Sequence, residues 1–359
     1  MNYRFLIYIS YSYAIPIGNP LEYEITKRGF TVKWFADLEE GKTALKKKAN
    51  VLKTIDEVLD YQPHIILTAT DSVPDFLNAL KVQVFHGFNA EKRSFKKDHF
   101  RIRELFDLYC TQGPSTTIVF KMLQKKYKNY EIIETGWSKV DPLFPLKDKR
   151  IEAKPIIMIA STFTERLSLA YNDDVFNEIK KLSKTNAYNF IMVLHPKLPK
   201  EIKDKWQSLN SKNFTYHNTT DLIPLFKKAD IMFADTTSAI QEFLLQRKPV
   251  VTFRNHKKEN YLINTEEAIL IENAFQKALT QPKGLMHNID TYINELHPYF
   301  DGQSSKRIID ASIDFLHKDK SYLKSKPLNL VRKFKIRKRL GHFTLKSYNR
   351  PYTIKKDDN

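Results

Sequence analysis

Cysteine, glycine and long apolar runs are all scarce in this chain of 359 residues, and each scarcity excludes a class of protein. The single cysteine, Cys110, excludes an internal disulfide and indicates a structural thiol in a reducing compartment. No apolar run approaches the roughly 18 residues that a membrane-spanning helix requires. The nine glycines never stand two positions apart, which excludes a G-x-G-x-x-G fingerprint, and no Walker A loop is present. We therefore expect neither a nicotinamide dehydrogenase nor a P-loop ATPase.

Metal chemistry also finds little support in the sequence. No histidine or cysteine at metal-ligand spacing accompanies Cys110, and no Asp-x-Asp pair follows an expected strand. A metal-dependent glycosyltransferase is therefore not expected. The sequence predicts a site with no metal and no organic cofactor.

The composition is that of a globular protein with room for two domains. Hydrophobic residues make up 42% of the chain and charged residues 28%. In residues 1–146, short β-rich runs alternate with helix-like stretches such as PSTTIVFKMLQKKY. We expect strands at FLIYIS, TVKWFA, HIILTAT, VQVF, DLYC and YEIIE, and one long helical stretch through KKKANVLKTIDEVLDY. Apolar runs without polar alternation predict a parallel sheet covered on both faces.

A proline-rich, charged segment, DPLFPLKDKRIEAKP, interrupts this series and predicts an interdomain linker. The pattern then restarts, with strands expected at PIIMIA, NFIMVL, NFTYH, DIMFA and PVVTF and a closing helix at SSKRIIDASIDFLH. Two such series predict an α/β protein of two doubly wound, Rossmann-like domains that face each other across a cleft. The expected domains are residues 1–146 and 147–319, followed by a basic amphipathic tail over residues 320–359.

The formal net charge of +18 is concentrated in that tail. Residues 320–359 contain 13 Lys/Arg and two Asp, interleaved with Leu, Val, Phe, Ile and Tyr. A solvated tail is the plain interpretation of such a charge run. The functional interpretation is that the tail binds an anionic membrane surface, because its basic residues attract anionic lipid headgroups while its apolar side chains insert between the lipids. No recognisable nucleic-acid-binding module accompanies the charge, so no nucleic acid partner is expected.

Three segments place reactive side chains directly after expected strands, where open α/β sheets bind ligands. His86 and Gly87 follow one strand of the first series, and His195 follows NFIMVL in the second. A lone histidine is more often structural, but two in corresponding positions favour a site. Gly87 leaves room for backbone or substrate to approach.

The third segment, DTTSAIQEF, begins with Asp235 and continues through Thr236, Thr237 and Ser238 into an expected helix. Thr and Ser at a helix start can simply cap the helix. Alternatively, their hydroxyls and the unpaired N–H groups of the helix start can bind a phosphate. The pattern alone leaves both interpretations open.

Taken in order, these segments resemble the CDP-glycerol glycerophosphotransferase family, whose members build teichoic-acid-like polyol phosphate polymers. The resemblance covers residues 80–310 and rests on FHG, GWSKVDPLF, ASTF, LHP, ADIMFADTTSAIQEFLLQRKPVVTF and DGQSSKRIID. Three positions differ from the family pattern: Phe85 stands where Trp is usual, and Thr236 and Thr237 stand where Tyr and Ser are usual. The resemblance implies a GT-B fold and a cytoplasmic enzyme of surface polysaccharide synthesis on the inner face of the cell membrane. Its partners would be a CDP-linked donor and a lipid-linked acceptor.

The resemblance also implies roles for the residues after the strands. His86 is expected to be the general base that takes the proton of an acceptor hydroxyl. His195, Thr237, Ser238 and the start of the helix are expected to stabilise the leaving nucleotide phosphate. Asp235, Thr236 and Gly87 complete the expected donor site. Arg307 is a secondary candidate for a phosphate contact, against the plainer interpretation of an exposed charge.

Two other functions remain open at this stage. A GT-B glycosyltransferase that uses a nucleotide sugar for capsule or surface glycan synthesis has the same two-domain architecture. A membrane-associated scaffold that keeps the fold without catalysis would need neither histidine. The resemblance also matches Gly136 and Asp141 to a motif for which we expect a mainly structural role.

Overall fold

The computed structural model describes residues 1–88, 99–146, 154–255 and 257–354. The chain divides into two compact units, here called the first unit (residues 1–142 and 296–359) and the second unit (residues 143–295). Residues 296–319, which the sequence interpretation placed in the second domain, therefore belong with the first unit. Much of the expected linker lies at residues 147–153, outside the described residues.

The first unit contains a parallel sheet of seven strands, in the order β3-β2-β1-β4-β5-β6-β7. Its strands are β1 Arg4–Ile9, β2 Thr31–Ala36, β3 Val51–Leu52, β4 Ile65–Thr68, β5 Leu80–Gln83, β6 Leu108–Thr111 and β7 Glu131–Glu134. Its helices are α1 Ile15–Lys27, α2 Glu39–Leu45, α3 Ile55–Tyr61, α4 Pro114–Tyr127, α11 Ser304–His317 and α12 Leu330–Leu340. The strand order reverses at β1, so β1 and β4 flank the point where such sheets bind ligands.

The second unit contains a parallel sheet of six strands, in the order β10-β9-β8-β11-β12-β13. Its strands are β8 Ile156–Ser161, β9 Asn189–Leu194, β10 Phe214–Tyr216, β11 Ile231–Ala234, β12 Val250–Phe253 and β13 Ile263–Thr265. Its helices are α5 Asp173–Lys184, α6 Lys200–Gln207, α7 Ile223–Lys228, α8 Ala239–Leu244, α9 Ile271–Leu279 and α10 Lys283–Leu296, which ends at the unit boundary. Here β8 and β11 flank the reversal. The two sheets confirm the expected pair of Rossmann-like α/β domains.

Each sheet is buried because its strands are apolar on both faces. In β4 every residue is buried, as in β11 and β12. Large aromatic residues such as Phe120 and Tyr130 pack in the core of the first unit. Trp206 and Phe275 do so in the core of the second. Burial of such side chains supplies the main driving force for each unit.

The expected long helical stretch through residues 46–61 is wrong. Helix α2 ends at Leu45, and residues 46–61 contain the short strand β3 followed by α3. Thr54 begins α3, because its side chain accepts a hydrogen bond from the backbone N–H of Glu57 at 3.1 Å. The β-branched Val51 pairs with Trp34 of β2, which extends the sheet by one strand.

The basic tail is packed on the first unit. Lys326 forms a buried ion pair with Asp107, and Arg337 forms a bidentate pair with Asp75 at 2.7 and 3.0 Å. Ile336 of α12 lies in the apolar core of the unit. This segment is therefore a structural part of the unit over its described residues. Among the described helices of the chain, none is long and apolar enough to cross a membrane.

Candidate functional site

His86 lies at the carboxyl edge of the first sheet, beside the reversal of strand order. Its Nδ1 lies 3.1 Å from the carbonyl oxygen of Ala69, the residue that follows β4. The ring of Tyr13, from the segment after β1, contacts the imidazole with ring centroids 5.5 Å apart. The side chain of His86 is exposed. Three neighbouring strand ends thus position one imidazole that a ligand can reach.

The backbone around His86 is fixed on both sides. The Nε1 atom of Trp137 donates to the carbonyl oxygen of Phe85 at 3.3 Å, and Nε2 of Gln112 donates to that of Gly87 at 3.0 Å. Phe85 has a φ of 58°, in the left-handed region that side chains other than glycine rarely adopt. A Cβ added to Gly87 would meet no described atom within 4 Å, so the space beside it is open. The turn is held in one conformation, with free volume at Gly87.

The contact with Ala69 determines which nitrogen of His86 carries the proton. A carbonyl oxygen only accepts hydrogen bonds, so Nδ1 of His86 must be the donor. In the neutral ring, Nε2 is then an acceptor with a free lone pair. The imidazole is therefore suited to accept a proton from a ligand hydroxyl.

Asp235, directly after β11, organises the corresponding edge of the second sheet. Its buried carboxylate accepts hydrogen bonds from Ser161 Oγ at 2.5 Å and from the backbone N–H groups of Thr162 and Leu169 at 3.0–3.1 Å. Burial raises the pKa of this carboxyl above its ordinary value, although these hydrogen bonds oppose the shift. Asp235 therefore joins the segments after β8 and β11 and positions them.

The hydroxyls beyond Asp235 differ in what they contact. Thr237 Oγ1 accepts from the backbone N–H of Ala239 at 3.4 Å. Ser238 occupies the cap position of α8, but its side chain makes no capping hydrogen bond and is exposed. Thr236 Oγ1 is buried and has no hydrogen-bond partner among the described residues. The capping interpretation therefore accounts for Thr237 but not for Ser238 or Thr236.

His195 follows β9, on the other side of β8. Its Nδ1 accepts a hydrogen bond from the backbone N–H of Lys197 at 3.1 Å. The neutral ring then carries its proton on Nε2, so that atom is a donor. The ring of Phe163 contacts the imidazole with centroids 4.6 Å apart, and the Lys197 ammonium lies 5.5 Å from the centroid of Phe163. The neutral rings of His195 and His86 are therefore opposite tautomers, with the proton on Nε2 in His195 and on Nδ1 in His86.

Arg307 of α11 lies in the first unit and is paired there. Its Nε donates to the carbonyl oxygen of Thr135 at 2.8 Å, and its two terminal nitrogens contact the Asp301 carboxylate at 2.8 and 3.0 Å. The guanidinium also lies over the ring of Tyr299. Arg307 therefore stabilises the turn before α11, and a ligand phosphate would have to compete with Asp301.

Gly136 and Asp141 have the structural roles that their positions suggest. The Asp141 carboxylate accepts from the backbone N–H groups of Ser304 and Ser305 at 2.8 and 2.6 Å, which caps the start of α11. Gly136 has a φ of +81°, and a Cβ there would lie 2.4 Å from Ser304 Oγ and 3.0 Å from His297 Nε2. Only glycine fits without displacing these atoms.

Sequence reasoning missed the side chains that contact the two histidines. Tyr13 lies in the tyrosine-rich segment after β1, and Phe163 in the segment after β8. The Lys197 ammonium lies 5.5 Å from the centroid of the Phe163 ring, which contacts His195. Their positions directly after strands were the available signal, because such positions meet at one edge of a parallel sheet. Within the described ranges, no group of three His, Cys, Asp or Glu side chains could hold a metal ion.

Comparison with solved structures shows a shared fold. The UDP-GlcNAc 2-epimerase from Neisseria meningitidis bound to UDP-GlcNAc is 16% identical, with a TM-score of 0.61 over 87% of this chain and 100% of that chain. The wall teichoic acid polymerase TagF is 15% identical, with a TM-score of 0.64 over 87% and 88%. MnaA of S. aureus, solved with UDP, is 16% identical, with a TM-score of 0.60 over 91% and 99%. At these identities the similarity establishes the GT-B fold.

Sequence comparison identifies the family. No curated protein matches the chain at a significant level. The family model described as UDP-N-acetylglucosamine 2-epimerase matches residues 24–312, which is well over half of the chain. The chain therefore belongs to the UDP-N-acetylglucosamine 2-epimerase family.

Proposed function

We propose that this chain transfers a glycerol-phosphate or related polyol-phosphate unit from a CDP-linked donor to a hydroxyl of a lipid-linked acceptor, with release of CMP. The observation that carries the proposal is that two histidines at strand ends are held as opposite tautomers. His86 presents an acceptor nitrogen, and His195 presents a donor nitrogen. One suits removal of a proton from the nucleophile, and the other suits stabilisation of the leaving group.

In the proposed reaction, the acceptor hydroxyl attacks the phosphorus that carries the polyol. Its proton moves to Nε2 of His86 as the new O–P bond forms. The bond from this phosphorus to the bridging oxygen of the diphosphate breaks, and CMP leaves with the bonding electrons. Such transfers depend on positioning and charge neutralisation, so no covalent enzyme intermediate is needed.

The donor is proposed to bind at the edge of the second sheet. The Nε2–H of His195, the Lys197 ammonium and the exposed hydroxyl of Ser238 are donors suited to phosphate oxygens. Thr236 and Thr237 add hydroxyls at the same edge, and Asp235 holds that edge in shape. Gly87 is proposed to leave space for the substrate beside His86. Arg307 keeps a secondary place, because a phosphate would have to displace Asp301.

The structural neighbour TagF supports this assignment in part. It has been solved with CDPG in a variant that has one histidine replaced by asparagine, and also with a histidine replaced by alanine. The resemblance of residues 80–310 to the glycerophosphotransferase family points to the same chemistry. We further propose that the chain acts in the cytoplasm, peripherally on the inner face of the cell membrane, in teichoic-acid-type cell envelope synthesis.

Family membership favours a second candidate, inversion of the C2 centre of UDP-N-acetylglucosamine. Two histidines held as opposite tautomers, one acting as a base and the other as an acid, would serve that reaction as well. A donor and product screen separates the candidates. Purified protein is incubated with CDP-glycerol, CDP-ribitol or UDP-N-acetylglucosamine, with and without a polyol-phosphate acceptor. The proposal expects acceptor-dependent CMP release, whereas formation of the C2 epimer without acceptor would identify an epimerase. Acceptor-dependent UDP release would identify a glycosyltransferase.

A further inference from the structure

Helix α12 buries charged side chains and exposes apolar ones, which is the reverse of an ordinary surface helix. Its buried face carries Lys333 and Arg337 beside Ile336. Arg337 pairs with Asp75, and Lys333 lies 3.7 Å from the same carboxylate. An amphipathic helix normally buries its apolar side chains and exposes its charges. Here much of the charge is turned inward onto acidic residues of the first unit.

The outward face of α12 is consequently rich in apolar groups. Val331 is 73% exposed and Phe334 is 56% exposed, and Lys335 and Lys338 are also exposed. These four residues follow the i, i+3, i+4, i+7 spacing of a single helix face. Four large exposed apolar residues extend the surface in the flanking chain: Leu328, Leu330, Phe343 and Leu345. The Phe343 ring lies 6.2 Å from that of Phe334, so the flanking chain and the helix form one surface.

This surface carries positive charge without acidic neighbours in its own segment. Residues 320–354 contain no Asp or Glu, and the acids that pair with tail cations come from the body of the unit. Six described cations of the tail are exposed: Lys324, Lys335, Lys338, Arg339, Lys346 and Arg350. The surface also lies beyond residue 312, where the match to the family model ends. It therefore lies outside the part of the chain that matches the family model.

We propose that the outward face of α12, with Leu328, Phe343 and Leu345, docks on an anionic lipid surface. Apolar side chains interleaved with lysines match the two layers of such a surface, since acyl chains accept the former and headgroup phosphates attract the latter. A second copy of the chain fits poorly, because two such faces would bring like charges together. A nucleic acid would offer the exposed Leu and Val side chains no apolar partner.

The docking to Asp75 and Asp107 makes this surface a fixed part of the first unit. Arg339 at the end of α12 contacts Asp37 after β2 at 2.9 Å and Ser72 after β4 at 2.9 Å. These residues follow strands of the sheet whose carboxyl edge also carries His86. The lipid-binding face is therefore attached to the same edge as the proposed catalytic base, which would hold that edge close to a lipid-linked acceptor.

This inference deepens the membrane location given under the proposed function, but it does not depend on the proposed chemistry. Binding is measured by cosedimentation of the full chain with vesicles, without donor or acceptor. Vesicles of phosphatidylcholine are compared with vesicles that also contain phosphatidylglycerol. Failure of the transferase assay would leave this result standing, and the reverse also holds. Deletion of the tail is unsuitable, because it would remove core residues such as Ile336 and Leu323.

Two variants test the two components of the surface. Phe334→Ser with Leu345→Ser removes exposed apolar groups, and Lys335→Glu with Lys338→Glu reverses exposed charge. Each basic residue near an anionic surface strengthens binding roughly fivefold, so we expect the charge variant to lose at least about tenfold in partitioning. Matched controls come from the second unit: Ile269→Ser with Leu270→Ser, and Lys180→Glu with Lys277→Glu, all of them exposed.

The expected result is binding to vesicles with phosphatidylglycerol, weakening with salt, loss in both α12 variants and no change in the controls. Thermal melting of each variant checks that the fold is intact. Equal partitioning to both vesicle types, or unchanged binding in both α12 variants, would overturn the proposal. A dimer in lipid-free solution that the Phe334→Ser, Leu345→Ser variant abolishes would identify a self-interface instead.

Discussion

The carbonyl oxygen of Ala69 accepts a hydrogen bond from Nδ1 of His86 across 3.1 Å. This contact leaves Nε2 of His86 as the acceptor nitrogen of an exposed ring. His195 is fixed in the opposite sense, because its Nδ1 accepts from the backbone of Lys197. In the neutral rings, backbone contacts thus leave an acceptor Nε2 on His86 and a donor Nε2 on His195.

Replacing His86 should remove turnover without removing donor binding. His86→Asn keeps a polar side chain of similar width but has no basic nitrogen. We expect the rate of CMP release to fall by about 10²–10⁴-fold, which is the usual contribution of a general base. Donor affinity, measured by calorimetry, should change by less than about threefold. A variant that loses donor affinity and rate in equal proportion would instead place His86 in substrate binding.

Replacing His195 should weaken both donor binding and the chemical step. His195→Phe retains a ring that can pack on Phe163 but removes the Nε2–H donor. Loss of one charge-assisted donor to a phosphate is worth about 1.5–3 kcal/mol, or roughly 10–100-fold in kcat/KM. Steady-state kinetics on the preferred donor measure this change. Wild-type kcat/KM in His195→Phe would contradict the assigned role.

Asp235→Asn should destabilise the second unit at the carboxyl edge of its sheet. The side-chain amide of the variant would point an N–H donor at Ser161 Oγ and at backbone N–H groups. In the wild type, all of these groups donate hydrogen bonds to the Asp235 carboxylate. An unsatisfied buried donor costs about 1–3 kcal/mol, so the free energy of unfolding should fall by about that amount. Urea denaturation measures the loss.

The pH dependence of the same variant has a defined sign. Burial raises the pKa of Asp235, so the folded state holds the proton more tightly than the unfolded state. Its contribution to stability therefore declines as pH rises from the ordinary value of 3.8 towards the folded value. The stability difference between wild type and Asp235→Asn should accordingly narrow as pH rises through that range. A difference that widens there would contradict this account.

Lys81 provides a second test by pH. Burial lowers the pKa of this lysine from 10.5 to about 8, although Asp107 opposes the shift. The unfolded chain then binds the proton more tightly, so the contribution of Lys81 to stability rises as pH increases from about 8 to 10.5. Lys81→Met keeps a side chain of similar volume but removes this rise in stability with pH. The control Lys121→Met, at an exposed position, should show the same pH profile of stability as wild type. Parallel pH profiles for wild type and Lys81→Met would refute the prediction.

The tail should contribute measurably to folding. Arg337→Ala breaks the buried bidentate pair with Asp75, and loss of one partner of such a pair costs about 3–5 kcal/mol. Lys333 remains near Asp75, so we expect the lower end of that range. The exposed Arg350→Ala should change stability by less than about 0.5 kcal/mol. Equal stability of the two variants would show that the tail is not part of the folded unit.

The strands and most helices of both units followed from apolar patterning, because buried parallel strands need uninterrupted runs such as IIMIA and IMFA. The pattern failed at residues 46–61, where lysine-rich helical character hid Val51 and the cap at Thr54. Propensity is a weak guide there, since pairing with Trp34 of a neighbouring strand decides the outcome.

The site was predictable only in outline. The positions of His86, His195 and Asp235 after strands followed from sequence order, because parallel strands all point the same way. The tautomers of His86 and His195 did not follow from sequence, because their backbone partners, Ala69 and Lys197, are set by the folded turns. The inward cations of the tail were equally hidden, because Asp75 and Asp107 lie more than 200 residues away in sequence.

The most direct test of the central claim is CMP release from CDP-glycerol by purified wild type and His86→Asn, with a polyol-phosphate acceptor. The account predicts acceptor-dependent release by wild type and a residual rate at least about 100-fold lower in the variant. The claim would be contradicted by no release from any CDP-polyol, or by an equal rate in His86→Asn.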